Sequence, residues 1–330
     1  MRRRDLAMTA AAAFAAITTA SAATTDDDGN AADGGLIAAL QRFLALPGTK
    51  SYLLSAGQNG SLGRIAYQPN VVLFIASAFK TFVLGQYLRD VETGRLSEDE
   101  QLAIDDNFRN LGSPVFINLA GTTTARSVLE AMIAHSDNMA TDIAMTKVGA
   151  DRVRALIAQA GLRSTRIPDS TRIFASYLVG APAGVDLGWP GILEAFQNSP
   201  GPLRPPLNDV QTLASTARDL VSWYEQALQG AFFTKPATLT DFKRIQATAV
   251  QIVDTVPPNT PAYAKGGEVV SLEGFNVKSF AGQMIVGEQI PVTFAFLVNW
   301  TGPESEFKKI QAEYFAAIMN ILQIVKEELQ

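Results

Sequence analysis

Apolar residues change their spacing along the chain, and the changes mark its elements. Residues 36–46 carry a helical period that stops at Pro47-Gly48. Two strand-like segments follow at 51–56 and 63–67, joined by the turn sequence Gly57-Gln58-Asn59-Gly60. From Val71 an apolar run continues to Leu84, broken at Ser77 and Lys80. Residues 78–91 predict a helix with apolar residues on almost every side, the pattern of a helix buried in a core. The segment 96–100 predicts a cap and first helical turn, with Ser97 as N-cap. Three further helices are predicted at 124–134, 139–148 and 151–160, the first two separated by the polar knot His135-Ser136-Asp137-Asn138.

Residues 161–208 are irregular and rich in Pro and Gly, with turn signals at Trp189-Pro190-Gly191 and Pro200-Gly201-Pro202. A run of that size in a compact domain predicts a lid or binding loop. An amphipathic helix is predicted at 212–228. The last third changes to strand patterns at 262–270, 275–286 and 292–299, and closes with an amphipathic helix at 305–328. This order predicts an α+β fold. Strands from both ends form one antiparallel sheet flanked by helices, with an all-helical lobe, about residues 90–230, inserted between them. No internal repeat is present.

Composition narrows the function. The 330 residues are 47% hydrophobic and carry a formal charge of -5, which excludes a nucleic-acid partner. Zero Cys and the single His135 exclude disulfides, thiolate chemistry and multi-histidine metal sites, so no cofactor is expected. At the N-terminus, Arg2-Arg3-Arg4, a short apolar stretch at 6–19 and Ala20-Ser21-Ala22 predict an export signal over 1–22. A leader at 23–35 and one domain at 36–330 follow. The Arg-Arg pair suggests twin-arginine export, and the expected location is periplasmic or secreted. A monomer without a membrane anchor, acting on a small molecule, is the expectation.

The chemistry centres on Ser77 and Lys80. One helical turn apart, they share a face. A lysine on a buried helix is desolvated, which lowers its pKa and makes it a usable base beside a hydroxyl. Ser-x-x-Lys alone is weak, and Ser305-Glu306-Phe307-Lys308 repeats it at the expected solvated start of the last helix. Two more elements separate the first match from the second. Ser136-Asp137-Asn138 offers a proton-relaying hydroxyl and a two-way amide, although it also suits a helix N-cap. Lys265-Gly266-Gly267 places a cation on a strand whose glycines permit close approach, or simply marks a bulge.

Together, in this order, the three elements resemble the class A β-lactamases and penicillin-binding proteins, the Ser-x-x-Lys serine hydrolases. The resemblance implies that Ser77 attacks a carbonyl and becomes acylated while Lys80 takes its proton. It implies that Ser136 and Lys265 pass a proton to the leaving nitrogen, and that Asn138 binds a substrate amide. Gly266, Gly267 and Glu268 line the substrate site, with the backbone N–H groups of Ser77 and Glu268 as oxyanion hole. The activity implied is cleavage of a β-lactam or related cyclic amide, with a carboxylesterase or a slowly deacylating penicillin-binding sensor as alternatives.

Four features depart from the family. Its deacylating Glu-x-x-Leu-Asn has no counterpart in residues 164–174, where Asp169, the nearest acid and the one candidate for deacylation, reads more readily as a turn or capping residue. Gly266 stands where Thr or Ser is usual. Glu268 puts a carboxylate near a region that binds substrate carboxylates, unless its side chain points away. The 161–208 segment is longer than its family counterpart. His135 is read as the C-cap of its helix rather than as a triad member.

Overall fold

The computed structural model describes residues 31–198, 201–287 and 289–330. The predicted export signal and most of the leader lie outside the described residues. Alternation of side chains across strands decides the architecture. In β9 (Ile290–Thr301), Ala295 and Leu297 face one core, while Phe294, Phe296 and Val298 face another. β8 (Phe275–Val286) splits the same way, with Val277 and Ala281 against Phe280 and Met284. A strand buried on both faces requires helices on both, and that is the arrangement found.

The five-stranded antiparallel sheet has the order β2-β1-β9-β8-β7. β1 (Thr49–Ala56) and β2 (Gly63–Tyr67) form a hairpin, and β1 pairs with β9 along its length. β7 (Ala262–Leu272) is the last strand, so one edge of it is free of sheet partners. One face of the sheet is covered by α1 (Ala31–Leu44) and α11 (Glu304–Leu329), with Phe43, Phe296, Tyr314 and Ile318 in that core. α1 begins inside the expected leader.

The second core holds the helical lobe. Its centre is α2 (Lys80–Glu92), buried without a break from Lys80 to Leu88. Around it lie α3 (Ala125–Ala134), α4 (Asn138–Val148), α5 (Ala150–Gln159), α8 (Ala217–Leu228) and α9 (Pro236–Gln246). Gly85 lets α2 approach α8, because a Cβ there would lie 2.8 Å from the Trp223 ring. Trp223 Nε1 and Gln246 Nε2 both donate to Thr81 Oγ1, at 2.8 and 2.7 Å, which satisfies three buried polar groups at once.

Several elements differ from their sequence-based expectation. Ser97 caps a turn rather than a helix, its Oγ accepting from Asp99 N, and the chain then enters β4 (Gln101–Ile104), paired with β5 (Gly121–Thr124). The segment 161–208 contains α6 (Thr171–Leu178) and α7 (Gly188–Asn198); Trp189-Pro190-Gly191 forms the first turn of α7, where proline lacks no needed donor. The helix expected at 212–228 starts at Ala217, capped by Thr216. Before it, β6 (Ala214–Ser215) pairs with β3 (Leu73–Phe74).

Candidate active site

Ser77 lies in a 3-10 turn, Ala76–Phe79, that leads directly into α2. The turn is held from several directions. The Asn299 carboxamide pairs with the Phe74 backbone as a strand would, accepting from its N–H at 2.8 Å and donating to its C=O at 2.9 Å. Ile75 N donates to Leu213 O at 2.8 Å, and Ser279 Oγ donates to Ile75 O at 2.6 Å. Ala76 then takes φ +46°, a left-handed conformation that costs an alanine energy and that the flanking contacts enforce. Ser77 emerges half-buried, one turn before the fully buried Lys80.

Ser136, Asp137 and Asn138 divide their work. Asp137 is the helix cap: Oδ1 accepts from Ala140 N at 2.8 Å, and Oδ2 accepts from Val115 N and Phe116 N, each at 2.9 Å. With the cap supplied there, the neighbouring side chains turn to Lys80. Lys80 Nζ donates to Ser136 O at 2.6 Å, Asn138 Oδ1 at 2.7 Å and Ser136 Oγ at 3.3 Å. Ser136 holds φ +59°, a second left-handed non-glycine residue.

Lys265 reaches the same hydroxyl from β7. Its Nζ donates to Ser136 Oγ at 3.1 Å and to Gly266 O at 2.7 Å. Burial pushes the Lys80 ammonium down to about 7, opposed by the charges of Asp137 and Asp142. Lys265 is driven well below its ordinary value by burial and by Lys80. Two ammonium groups around one oxygen repel, so the cluster favours losing a proton. A neutral Lys80 would present a lone pair with Ser136 Oγ–H within reach. Lys265 would then donate to the same oxygen, giving a continuous path for a proton.

The glycines of β7 have separate reasons. A Cβ on Gly267 would lie 2.5 Å from both Ile75 O and Ser77 N, so this glycine lets the strand press against the Ser77 backbone. A Cβ on Gly266 would overlap the Gln251 carboxamide, which occupies the space a side chain there would need. Glu268 turns outward: its Oε2 accepts from Lys278 Nζ at 2.9 Å and from Gln311 Nε2 at 3.1 Å on α11. Lys278 is itself buried, which lowers its pKa, while Glu268 opposes that shift.

The remaining acids lie outside the lysine cluster. Asp169 accepts from Arg154 at 2.6 Å and from Gln211 Nε2 at 2.6 Å. Burial pushes its carboxyl up, but these hydrogen bonds and the Arg154 charge outweigh burial and hold it below its ordinary value. Asp142 was not signalled by any motif. One turn along α4 from Asn138, it accepts from Thr171 N at 2.7 Å, Thr171 Oγ1 at 2.8 Å, Arg172 N at 3.1 Å and Asn110 Nδ2 at 3.1 Å. It thereby fastens the start of α6 beside the site, and burial raises its pKa to about 6. Gln251 and Ser279 were missed for the same reason: neither belongs to a motif, and only the fold brings them to the site. His135 is exposed at the C-cap of α3, and Ser305 and Lys308 are exposed on α11. Among the described residues no cluster of His, Asp or Glu has the makings of a metal site.

Known proteins share this fold. A sequence search of curated proteins finds no match. Solved structures match over nearly their full length. A β-lactamase from Chitinophaga pinensis DSM 2588 has a TM-score of 0.69 at 16% identity, covering 89% of this chain and 98% of its own. A β-lactamase from Xanthomonas campestris pv. campestris has 0.68 at 16% identity, covering 91% and 99%. A mutant of PBP-A, solved as an acyl-enzyme complex with penicillin G, has 0.65 at 16% identity, covering 89% and 97%. These likenesses show the fold. The sequence model of the β-lactamase enzyme family matches residues 37–274, and this chain therefore belongs to that family.

Proposed function

We propose that the chain is an exported serine hydrolase that forms an acyl-enzyme at Ser77 with a β-lactam or related amide and releases the acyl group slowly. The observation carrying the reading is the convergence of Lys80 and Lys265 on Ser136 Oγ beside a nucleophile pressed against β7. Lys80, in its neutral form, takes the Ser77 proton as Ser77 Oγ bonds to the substrate carbonyl carbon. The Ser77 and Glu268 N–H groups receive the developing oxyanion, an interaction that supplies about 3 kcal/mol per donor in other acyl-transfer enzymes. Ser136 delivers the proton to the departing nitrogen, and Lys265 supports the hydroxyl from the other side. Asn138 still has one amide hydrogen for a substrate carbonyl, since Nδ2 donates once, to Leu111 O at 2.8 Å.

Slow release follows from what surrounds α6. The family's deacylating carboxylate is missing from 164–174, and Asp169 is committed to Arg154 and Gln211. A mutant of PBP-A, similar in fold and solved as an acyl-enzyme complex with penicillin G, supports the reading. Export rests on the basic and apolar N-terminal pattern, and no helix among the described residues is long and apolar enough to cross a membrane.

Intact-protein mass spectrometry after exposure to penicillin G tests the reading. A long-lived adduct on wild type, absent from Ser77→Ala, is expected. An adduct that persists on Ser77→Ala would sink the nucleophile assignment, and immediate return to the free mass would sink slow release.

A further inference from the structure

Ser279, buried on β8, stands between the turn at Ser77 and β7. Its Oγ donates to Ile75 O at 2.6 Å and lies 3.4 Å from Gly267 O. A trans peptide points its N–H opposite to its C=O, so a contact that orients one orients the other. Gly267 O shares its peptide with Glu268 N. With that carbonyl directed at Ser279, the Glu268 N–H points away from β8, toward the free edge of β7. Ile75 O belongs to the peptide before Ala76, whose φ of +46° sets the direction of the next peptide and of its Ser77 N–H. One hydroxyl therefore bears on both N–H groups.

Burial alone does not call for this hydroxyl. Ile75 O already accepts from Ala78 N at 3.2 Å, so an alanine at 279 would leave that carbonyl bonded. The strand is also held elsewhere. Gln251, just before the short helix α10 (Ile252–Thr255), covers Gly266, and Lys278 and Gln311 donate to Glu268. What Ser279 adds is a direct tie between the turn and the strand. We propose that Ser279 is a positioning residue that holds the Ser77 and Glu268 N–H groups at the separation one substrate oxygen requires. This rests on the acyl-enzyme reading above, in which those two groups receive the oxyanion.

Stopped-flow acylation by a chromogenic cephalosporin, with rates taken per Ser77 titrated by a fluorophosphonate, tests the role in Ser279→Ala and Ser279→Cys. Cys keeps the bulk with a weak donor, and keeps the test available if Ser279→Ala folds poorly. In both, the acylation rate constant should fall about thirtyfold while substrate affinity changes by less than about threefold, because the aim of these donors matters in the transition state. Phenylboronic acid, which adds to a serine hydroxyl as a tetrahedral anion and presents an oxygen to both N–H groups, should lose affinity by a similar factor. The rise in rate through pH of about 7 should stay in place, since Lys80 is untouched. A fall carried by substrate affinity alone, a displaced pH limb, or rates and boronate affinity within about twofold of wild type would overturn the role. If wild type took neither the cephalosporin nor the fluorophosphonate at Ser77, the acyl-enzyme reading itself would fall.

Discussion

Lys80 and Lys265 aim their amines at one oxygen: Ser136 Oγ lies 3.3 Å from the first and 3.1 Å from the second. Both lysines are buried, and the charge of Lys80 makes Lys265 harder to charge. Among the described residues, the hydroxyl between them is the only side chain hydrogen-bonded to both.

The first consequence is a pH profile. Lys80 is held near 7, so the acylation rate of Ser77 should rise as pH increases through about 7, when the amine becomes neutral. Lys80→Arg keeps the charge and removes the base; acylation should fall by about a hundredfold or more and lose this rising limb. Stopped-flow acylation by a chromogenic lactam across pH 5–9 measures both, and a flat wild-type profile would exclude Lys80 as base.

Stability carries the same signature. The folded pKa of Lys80 lies below its ordinary 10.5, so the unfolded chain binds more protons between about 7 and 10.5. Stability therefore rises with pH across that window, and Lys265 acts in the same direction. Urea midpoints measured from pH 7 to pH 10 should increase in wild type and increase less in Lys80→Met.

Ser136 separates function from strain. At φ +59° a non-glycine residue costs about 1 kcal/mol or more. Ser136→Gly and Ser136→Ala should both acylate poorly, while the Gly variant should be the more stable by about 1 kcal/mol in urea unfolding. Equal stability would mean the loop relaxes.

Gly267→Ala should damage the site more than the fold around it. The added Cβ meets backbone atoms at Ile75 and Ser77, which cannot rotate away. Displacing the strand removes the Glu268 N–H from its place, and acylation should drop by about a hundredfold.

Asp142→Ala leaves Thr171, Arg172 and Asn110 with buried donors unpaired. The expected loss is about 3 kcal/mol in urea unfolding. Limited proteolysis within 171–198 should accelerate, because the start of α6 loses its anchor.

Much of the fold was legible because long periodic segments speak for themselves: Phe275–Val286, Gly63–Tyr67 and the helices around Ser136 fall within a residue of their expected bounds. Ser77, Lys80, Ser136, Asn138 and Lys265 were legible because each carries a motif, and the fold brings Lys80, Ser136, Asn138 and Lys265 into one hydrogen-bonded cluster. What escaped depends on neighbours distant in the chain. The two-residue strands β3 and β6 have too few residues to show a period. α7 is masked by Pro190, whose helix-breaking sense reverses in a first turn. The outward turn of Glu268 is decided by Lys278 and Gln311, and the vacancy at Gly266 is explained only by Gln251.

The Asn299 carboxamide that pairs with Phe74 sets a timetable for the molecule. Phe74, just before the turn at Ser77, is braced by a side chain 225 positions further along the chain, on β9. While synthesis delivers the chain from its N-terminus, Ser77 emerges long before the brace. Closing so long a loop is among the slower steps of folding. The turn at Ser77 therefore lacks its brace until β9 is made, and a fragment ending before β9 carries Ser77, Lys80, Ser136 and Lys265 without it.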